Sequence, residues 1–406
     1  MATAVAALPT TAPPVAAPAV PTVVPAVAPL EFQLGRKELL QELLLAASIV
    51  ETKTTTPILT NLLLKAENGT ITITATNLDE TIETSCPAQV AKPGIVTAPA
   101  RKLLSYIRLL EGELVGLRGK ENNWIQIRAG RSNTKMVGMS AASFPKQIPF
   151  PATIVAKLPV PALQQLIARV MMAVSSDSSR YILNGAQLEL TANEMTLVAT
   201  DGHRLSLANT KASIAGFVPN EDGSAKKFLV SKKGLEALRD LLAASSEPEV
   251  EFAEKDNLLF FRCGPLRTYS VRKLSGSFPN YAAVLPQANN KVVRVGVKDF
   301  TETVLRVAQF ADEKQNSIQL HLDKNQLKVS GASSELGESV EILDVTYTAE
   351  PVTVGLNADY LLDALKVIGK SEVRLEVKDS LSAIQLRPDG EDTSTSLKYV
   401  CMPMRC

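Results

Sequence analysis

Residues 62–75 read Leu-Leu-Leu-Lys-Ala-Glu-Asn-Gly-Thr-Ile-Thr-Ile-Thr-Ala, and the chain writes that pattern twice more. Residues 186–199 are AQLELTANEMTLVA, and residues 318–331 are IQLHLDKNQLKVSG. Apolar or small side chains stand at Leu62, Leu64, Ile71, Ile73 and Ala75 in the first copy. They recur at Ala186, Leu188, Met195, Leu197 and Ala199, then at Ile318, Leu320, Leu327, Val329 and Gly331. The offsets are 124 and 132 residues, and the match lies in spacing more than in identity. Solenoid and propeller repeats have periods of roughly 20–50 residues, so these copies are too long to be such units. Each is the size of a domain. Three similar domains in tandem imply a shape with internal symmetry, and a shape is often the function of a protein that does no chemistry.

Outward from the quoted stretch, each copy follows one plan. Asn68-Gly69 is a strong hairpin turn between the two apolar runs. The second copy turns near Ala192-Asn193 and the third near Lys324-Asn325. An amphipathic helix precedes each hairpin: Leu39, Leu43, Ala46 and Ala47; Leu163, Ile167, Val170 and Met171; Phe300, Val304, Val307 and Ala308. Those spacings make one apolar stripe. A second helix is predicted over Pro99–Leu110, Ser231–Leu242 and Ala358–Ile368, with proline suited to the first helical turn. Further strands at Trp124–Ile127, Leu258–Phe261 and Ser382–Leu386 close the copies. Ser143-Phe144-Pro145 and Ser277-Phe278-Pro279 end the first two. The expected organisation is a tail at 1–29 and domains at 30–152, 153–287 and 288–406. Each domain is α+β, with helices on one face of antiparallel sheet.

The 406 residues carry a net charge of +1, so bulk charge favours neither nucleic acid nor membrane. A local basic face can still exist on a neutral protein. Residues 1–29 are uncharged and hold seven prolines from Pro9 to Pro29, which forbid a regular spanning helix. The stretch lacks the basic start of a signal peptide and the arginines of a transit peptide. It reads as a disordered tail of polyproline-II leaning. Cys86, Cys263, Cys401 and Cys406 show no metal-site spacing and read as reduced thiols of a cytosolic protein. Cys406 does not form a prenylation box, because Pro403 stands where the modified cysteine would be.

A search for catalysis finds little. There are two histidines. His321 alternates with Leu320 and Leu322 as an outward-facing strand residue. His203 lies in Thr200-Asp201-Gly202-His203-Arg204-Leu205, where Asp-Gly marks an exposed turn. No nucleophile elbow, P-loop, dinucleotide fingerprint, zincin motif or EF-hand is present, and no carboxylate cluster suggests a metal. The second helices are more informative. Arg101, Lys102, Ser105 and Arg108 share the polar side of the first; Lys232, Lys233 and Arg239 mix with Glu236 and Asp240 on the second. Such strips are either ordinary solvated faces or sequence-blind phosphate contacts. The third helix, with Asp359, Asp363, Lys366 and Lys370, does not decide between them. The chain also ends apolar, in Tyr399-Val400-Cys401-Met402-Pro403-Met404-Arg405-Cys406, although chain ends are usually polar. The two methionines either close a core strand or offer an adaptable binding surface.

Taken together, the three α+β copies, Arg180-Tyr181-Ile182-Leu183-Asn184-Gly185, Ala199-to-Leu205 ATDGHRL, Phe278-Pro279-Asn280-Tyr281 and the ending YVCMPMRC resemble the bacterial DNA sliding clamps, the β subunits of DNA polymerase III. The resemblance covers about residues 30–406. It implies a head-to-tail homodimer closed into a ring, with helices lining the hole and sheets outside. Duplex DNA would be threaded rather than gripped, so near-zero net charge is no obstacle. The implied role is a non-catalytic, cytoplasmic processivity factor without cofactor, metal or membrane. Its partners would be double-stranded DNA, the replicative polymerase α subunit, the clamp loader, and other polymerases and repair proteins bearing short hydrophobic peptides.

By position, the resemblance implies a peptide pocket lined by Leu183, Thr200, Gly202, His203, Arg204, Leu205, Pro279, Val284, Asn357, Tyr360, Leu381, Val400, Met402, Pro403, Met404 and Arg405. It resolves the methionine question in favour of binding. Ala283 replaces a basic residue and Cys406 a leucine, which shifts the expected peptide preference. For DNA it implies Lys53, Arg101, Tyr181 and Lys232, with Ile182 in place of an aromatic and Asp177 in place of a neutral polar residue. At the dimer interface it implies Phe310 against Met136 and Thr134 of the partner domain. The rival expectation is a diverged peptide-binding scaffold of the same fold that does not encircle DNA, kept open by Asp177 and Ile182.

Overall fold

The computed structural model describes residues 30–313, 315–390 and 394–404. Copy 1 runs β1 (Glu31–Gly35), α1 (Arg36–Ser48), β2 (Asn61–Glu67), β3 (Thr70–Thr76), β4 (Glu80–Pro87), β5 (Gln89–Lys92), β6 (Gly94–Pro99), α2 (Ala100–Leu109), β7 (Leu114–Gly119), β8 (Trp124–Ala129) and β9 (Ser132–Val137). Copy 2 runs β10 (Ala156–Pro159), α3 (Val160–Val170), β11 (Gly185–Leu190), β12 (Glu194–Thr200), β13 (Arg204–Lys211), β14 (Lys226–Ser231), α4 (Lys232–Ala243), β15 (Glu249–Lys255), β16 (Leu258–Cys263) and β17 (Arg267–Arg272). Copy 3 runs β18 (Lys291–Gly296), α5 (Val297–Ala308), β19 (Ser317–Asp323), β20 (Gln326–Ser333), β21 (Gly337–Asp344), β22 (Val352–Asn357), α6 (Ala358–Val367), β23 (Glu372–Val377), β24 (Ile384–Pro388) and β25 (Thr395–Cys401).

The hairpin turns form as their residues require. Asn68 and Gly69 both take positive φ, 50° and 75°, the geometry of the two-residue turn their sequence predicts. Asn325 does the same at φ 56°. The helical stripes are buried: Leu39 and Leu43, Leu163 and Ile167, and Phe300 and Val304 are all at most 1% exposed. Burying one such side chain is worth about 1.5–3 kcal/mol. The second helices start one residue later than two of the predicted spans. Pro99 caps α2 from outside, and Ser231 caps α4 by accepting a hydrogen bond from the Gly234 amide at 3.0 Å.

The sheets do not respect the repeat boundaries. One eight-stranded sheet has the order β10-β15-β16-β17-β4-β3-β2-β6, joining copy 2 to copy 1 through the pair β17·β4. A second has the order β14-β11-β12-β13-β25-β24-β23-β18, joining copy 2 to copy 3 through β13·β25. Tyr269 stands opposite Ile82 at the first junction, and Tyr399 opposite Ser206 at the second. Copy 1 keeps a sheet β5-β1-β7-β8-β9, and copy 3 keeps β21-β20-β19-β22. Helices of each copy pack pairwise, α1 on α2, α3 on α4 and α5 on α6, and α1 also meets α4 across the first junction.

That junction holds a buried ion pair. Arg267 reaches Glu42 with Nη2 2.5 Å from Oε1 and Nε 3.0 Å from Oε2, while its Nη1 donates to the Ala244 carbonyl at 2.6 Å. Thr84 also donates to Glu42. The free thiols Cys86, Cys263 and Cys401 are buried, and burial first, then the charge of Glu42, pushes the Cys86 thiol up to about 12. These thiols therefore stay protonated at neutral pH and are chemically quiet.

Candidate functional site

Two places gather the residues singled out in the sequence. The first is the junction of copies 2 and 3. The turn 200–204 is built by its own side chains. Thr200 Oγ1 donates to the Arg204 carbonyl at 2.7 Å, and Asp201 Oδ1 accepts from the amides of His203 and Arg204 at 2.9 and 3.0 Å. Gly202 has φ 92°, and a Cβ there would lie 2.5 Å from Arg180 Nη1. Only glycine meets both conditions without displacement. His203 is exposed and its carbonyl accepts from the Met402 amide at 2.9 Å. The Met404 amide donates to the Gly355 carbonyl at 2.8 Å. These bonds lay the chain end along the junction.

Arg204 is the anchor of this region. Its Nε lies 3.0 Å from Asp201 Oδ2 and its Nη1 2.8 Å from Asp363 Oδ2 and 3.4 Å from the Tyr399 hydroxyl. Its guanidinium carbon sits 4.3 Å above the Tyr360 ring. Burial opposes its charge, but Tyr399, Asp363 and Asp201 outweigh that and hold it more basic than usual. Asn357 caps α6, accepting from the Tyr360 amide at 3.1 Å. Thus a cation clamps copy 2 to copy 3 and lies against the Tyr360 ring.

Several apolar side chains of the linker and of copy 3 are open to solvent. Met402 is 39% exposed, Val284 40% and Leu381 78%. Pro279 is exposed, and Pro403 and Met404 are half-buried. Leu205 and Val400 differ from the expected lining, because they are 3% and 1% exposed. They face each other across β13·β25 and pack with Val198 and Leu207 beneath Phe278, Tyr281 and Leu285. They form a floor under the linker, not an open surface. Leu183 is half-buried on the turn before β11, its carbonyl accepting from Ser175. Arg405 and Cys406 lie outside the described residues, as does the 1–29 tail.

The second place is the helical side of the copy 1–2 junction. Lys53 and Arg101 line one groove of about 430 Å³ with Lys233, Arg239, Glu51, Glu236 and Asp240. Tyr181 and Lys232 line an adjoining groove of about 440 Å³ that shares Glu51 and Lys233. Lys233 pairs with Glu51 at 2.9 Å, and Lys232 Nζ donates to Ser176 Oγ at 2.8 Å. Tyr181 is 52% exposed. Ile182 beside it is half-buried and lies against Gly276, where a Cβ would stand 2.9 Å from its Cδ1. Asp177 is spent on its own turn, accepting from the Ser179 amide and hydroxyl at 2.9 and 2.8 Å. Those two bonds lower its pKa.

Phe310 is 37% exposed just past α5. Thr134 Oγ1 accepts a hydrogen bond from the Tyr106 hydroxyl at 2.7 Å, and Met136 is 7% exposed, packed into the core. Sequence reading missed Asp363, Arg180 and Glu51. Asp363 had been only one charge on a mixed helix, and nothing local signals that it reaches Arg204. Among the described residues, no group of three or more His, Cys, Asp or Glu side chains is placed to hold a metal. No described helix is long and apolar enough to cross a membrane.

Comparison with known proteins adds the family. The N-terminal, central and C-terminal domain profiles of the DNA polymerase III beta subunit match residues 30–149, 157–280 and 282–405. The beta sliding clamp of Pseudomonas putida is 33% identical over 380 residues, 93% of this chain and all of that protein. That of Escherichia coli is 31% identical over 378 residues, again 93% and 100%. Among solved structures, a Pseudomonas aeruginosa sliding clamp bound to griselimycin superposes with TM-score 0.85 at 31% identity, covering 93% of this chain and 100% of that one.

Proposed function

The chain belongs to the DNA polymerase III beta-subunit family, and from that membership we propose a head-to-tail pair of these chains that closes into a ring around duplex DNA. The observation that carries the reading is the strand pairing at the two internal junctions. Each joins the third hairpin strand of one copy (β4, β13) to the last strand of the next (β17, β25). Copy 3 has its third hairpin strand, β21, at a sheet edge, and copy 1 has its last strand, β9, at another. Those are the two missing halves of the same joint. Two chains supply it twice, so that β9 and β21 each gain a partner strand, which is what a closing heterologous interface requires.

The internal joints also suggest the register. Ser339 takes the place of Ile82 and Ser206, and Thr134 that of Tyr269 and Tyr399. Glu338 then meets Lys135, and Gly337 meets Met136. Val340 and Ile342, 49% and 56% exposed on β21, would be covered. Phe310 would lie on the helical side of this joint, near Thr134.

Such a ring holds DNA by topology. Lys53, Arg101, Tyr181 and Lys232 face the helical side, where weak phosphate contacts allow sliding. The exposed apolar surface around Met402, Val284 and Leu381 would take the hydrophobic peptide of the replicative polymerase, the clamp loader and other DNA polymerases or repair proteins. The role is processivity in chromosomal replication, without catalysis, in the cytoplasm. Domains bounded near 152 and 287 fit this reading. A scaffold that never encircles DNA is not favoured, because it leaves β9 and β21 unexplained. The decisive experiment loads the protein onto nicked circular DNA with a clamp loader and then linearises the circle. Release through the ends is expected; persistence on linear DNA with free ends would refute the ring.

A further inference from the structure

The outer face of the sheets carries a row of side chains that differs sharply between copies. In copy 2 the row runs Lys157, Glu251, Arg262, Thr268 and Glu83, directly opposed across five strands. The signs alternate, and Glu251 pairs with Arg262 at 2.5 Å. The equivalent row of copy 3 begins Arg294, Arg374, Arg387, again directly opposed. The next step of the β24·β25 ladder, one beyond Leu386–Tyr399, brings in Lys398, which faces Leu207. In copy 1 the row is Gln33, Gly116, Arg128 and Asn133. Only copy 3 stacks like charges side by side, an arrangement that destabilises a sheet.

The acids nearby do not balance it. Asp389 takes Arg294, both oxygens 3.0 Å from Nε. The buried Glu376 serves two guanidiniums, 2.8 Å from Arg374 Nε and 3.7 Å from Arg387 Nε, and neither Nε is aligned for a hydrogen bond. Among the described residues these two acids are the ones ion-paired with the row, against four cations; Glu372, one step along the same face of β23, is ion-paired with none of them. Arg294, Arg374 and Arg387 remain 59%, 42% and 32% exposed. Four strands at about 4.8 Å spacing make the strip about 14 Å long, the reach of four or five extended residues.

We propose that Arg294, Arg374, Arg387 and Lys398 form a docking strip for an acidic protein segment on the outer face of copy 3. Guanidinium forks match carboxylates two oxygens at a time, as Asp389 already does here. Nucleic acid is the poorer fit, because the strip lies on the sheet face opposite the helices that would line the hole. The strip ends beside the linker that separates it from the surface proposed above for a hydrophobic peptide, since Lys398 shares one face of β25 with Val400, which that linker covers. That adjacency rests on the peptide reading; the strip itself does not.

The test is fluorescence anisotropy of a labelled decaglutamate with the full chain, at low and physiological salt, beside a labelled oligothymidylate. Decaglutamate binds, and binding weakens with salt. R374E, which recreates the alternation of copy 2, weakens it roughly tenfold or more, with circular dichroism checking the fold because Glu376 loses its nearest cation. R374Q/R387Q, which removes charge without adding any, shows the same loss. Absent decaglutamate binding, unchanged binding in both variants, or tighter binding of oligothymidylate through the same arginines overturns the strip. M402D/M404D leaves decaglutamate binding intact if the strip is real. Retained polymerase binding in that last variant would sink the peptide reading alone.

Discussion

The two internal junctions share one backbone and carry opposite side chains. At the first, the Arg272 amide donates to the Asp79 carbonyl and the Leu274 amide to that of Leu229. At the second, Met402 and Met404 make the same bonds to His203 and Gly355. Glu80 stands where Arg204 stands, Leu78 where Gly202 does, and Gly234 where Tyr360 does. The first junction closes over charge: Arg272 pairs with Asp79 at 2.8 Å, and the Tyr269 hydroxyl donates to Glu80 at 2.5 Å. The second leaves methionines in the open and puts its charge underneath, in Arg204. The fold therefore supplies the same shelf twice, and side chains alone make one shelf charged and the other apolar.

The largest effect expected from disturbing this contrast falls on the first junction. Glu42→Ala strands Arg267, whose side chain is 16% exposed, without its carboxylate. Breaking a buried pair this way costs about 3–5 kcal/mol. Urea unfolding checks it, and a loss under about 1 kcal/mol would mean water replaces the partner. Next comes the second junction. Met402→Asp with Met404→Asp should weaken a polymerase-derived peptide by roughly a hundredfold or more, the cost of setting charges against an apolar ligand. Sedimentation mass should stay that of the wild type, since neither residue lies near β9 or β21.

A smaller pair of changes exchanges the turn residues. Leu78 sits at φ 77°, a strained setting for a branched side chain, and is 56% exposed. Leu78→Gly should stabilise by about 1 kcal/mol by relieving that strain. Gly202→Leu should destabilise by about 1–3 kcal/mol and push Arg180 off the Asp201 carbonyl, to which it now donates at 3.0 Å. Equal and opposite shifts in melting temperature would show the turns to be interchangeable; an unchanged Gly202→Leu protein would refute the account of that glycine.

Much of this was legible in the sequence because it is periodic. Three apolar patterns, three Asn-bearing turns and six amphipathic helices follow from spacing, and each element needs only its own residues to form. The exposed turn at His203 was likewise local. What stayed illegible is what the chain does between copies. Nothing in Glu42, on a helix, and Arg267, on a strand 225 residues later, announces that they meet. The burial of Leu205 and Val400 depends on a linker that folds over them, so carrying them over from the family resemblance overstated their access. Ile182 is half-buried for a like reason: Gly276, far along the chain, leaves it room. The like-charged row of copy 3 is invisible until register sets Arg294, Arg374 and Arg387 side by side.

The smallest expected effect concerns pH and separates the two junction tyrosines. Burial raises both, but the second cause differs: the charge of Glu80 raises Tyr269 further, whereas Arg204 pulls Tyr399 back. A group whose folded pKa is raised stabilises fully below its unfolded pKa, near 10 for tyrosine, and loses that contribution as pH climbs toward the folded value. Stability should therefore be insensitive to these tyrosines up to about pH 9 and fall above about pH 10. Tyr269→Phe should flatten that fall, because it removes the phenol that must ionise beside a carboxylate. Tyr399→Phe should flatten it less, because the Arg204 cation already favours the phenolate there. Denaturant midpoints measured across the alkaline range decide it: an equal flattening by both substitutions would show that burial alone sets these phenols and that the opposite charges beneath the two junctions have no hold on them.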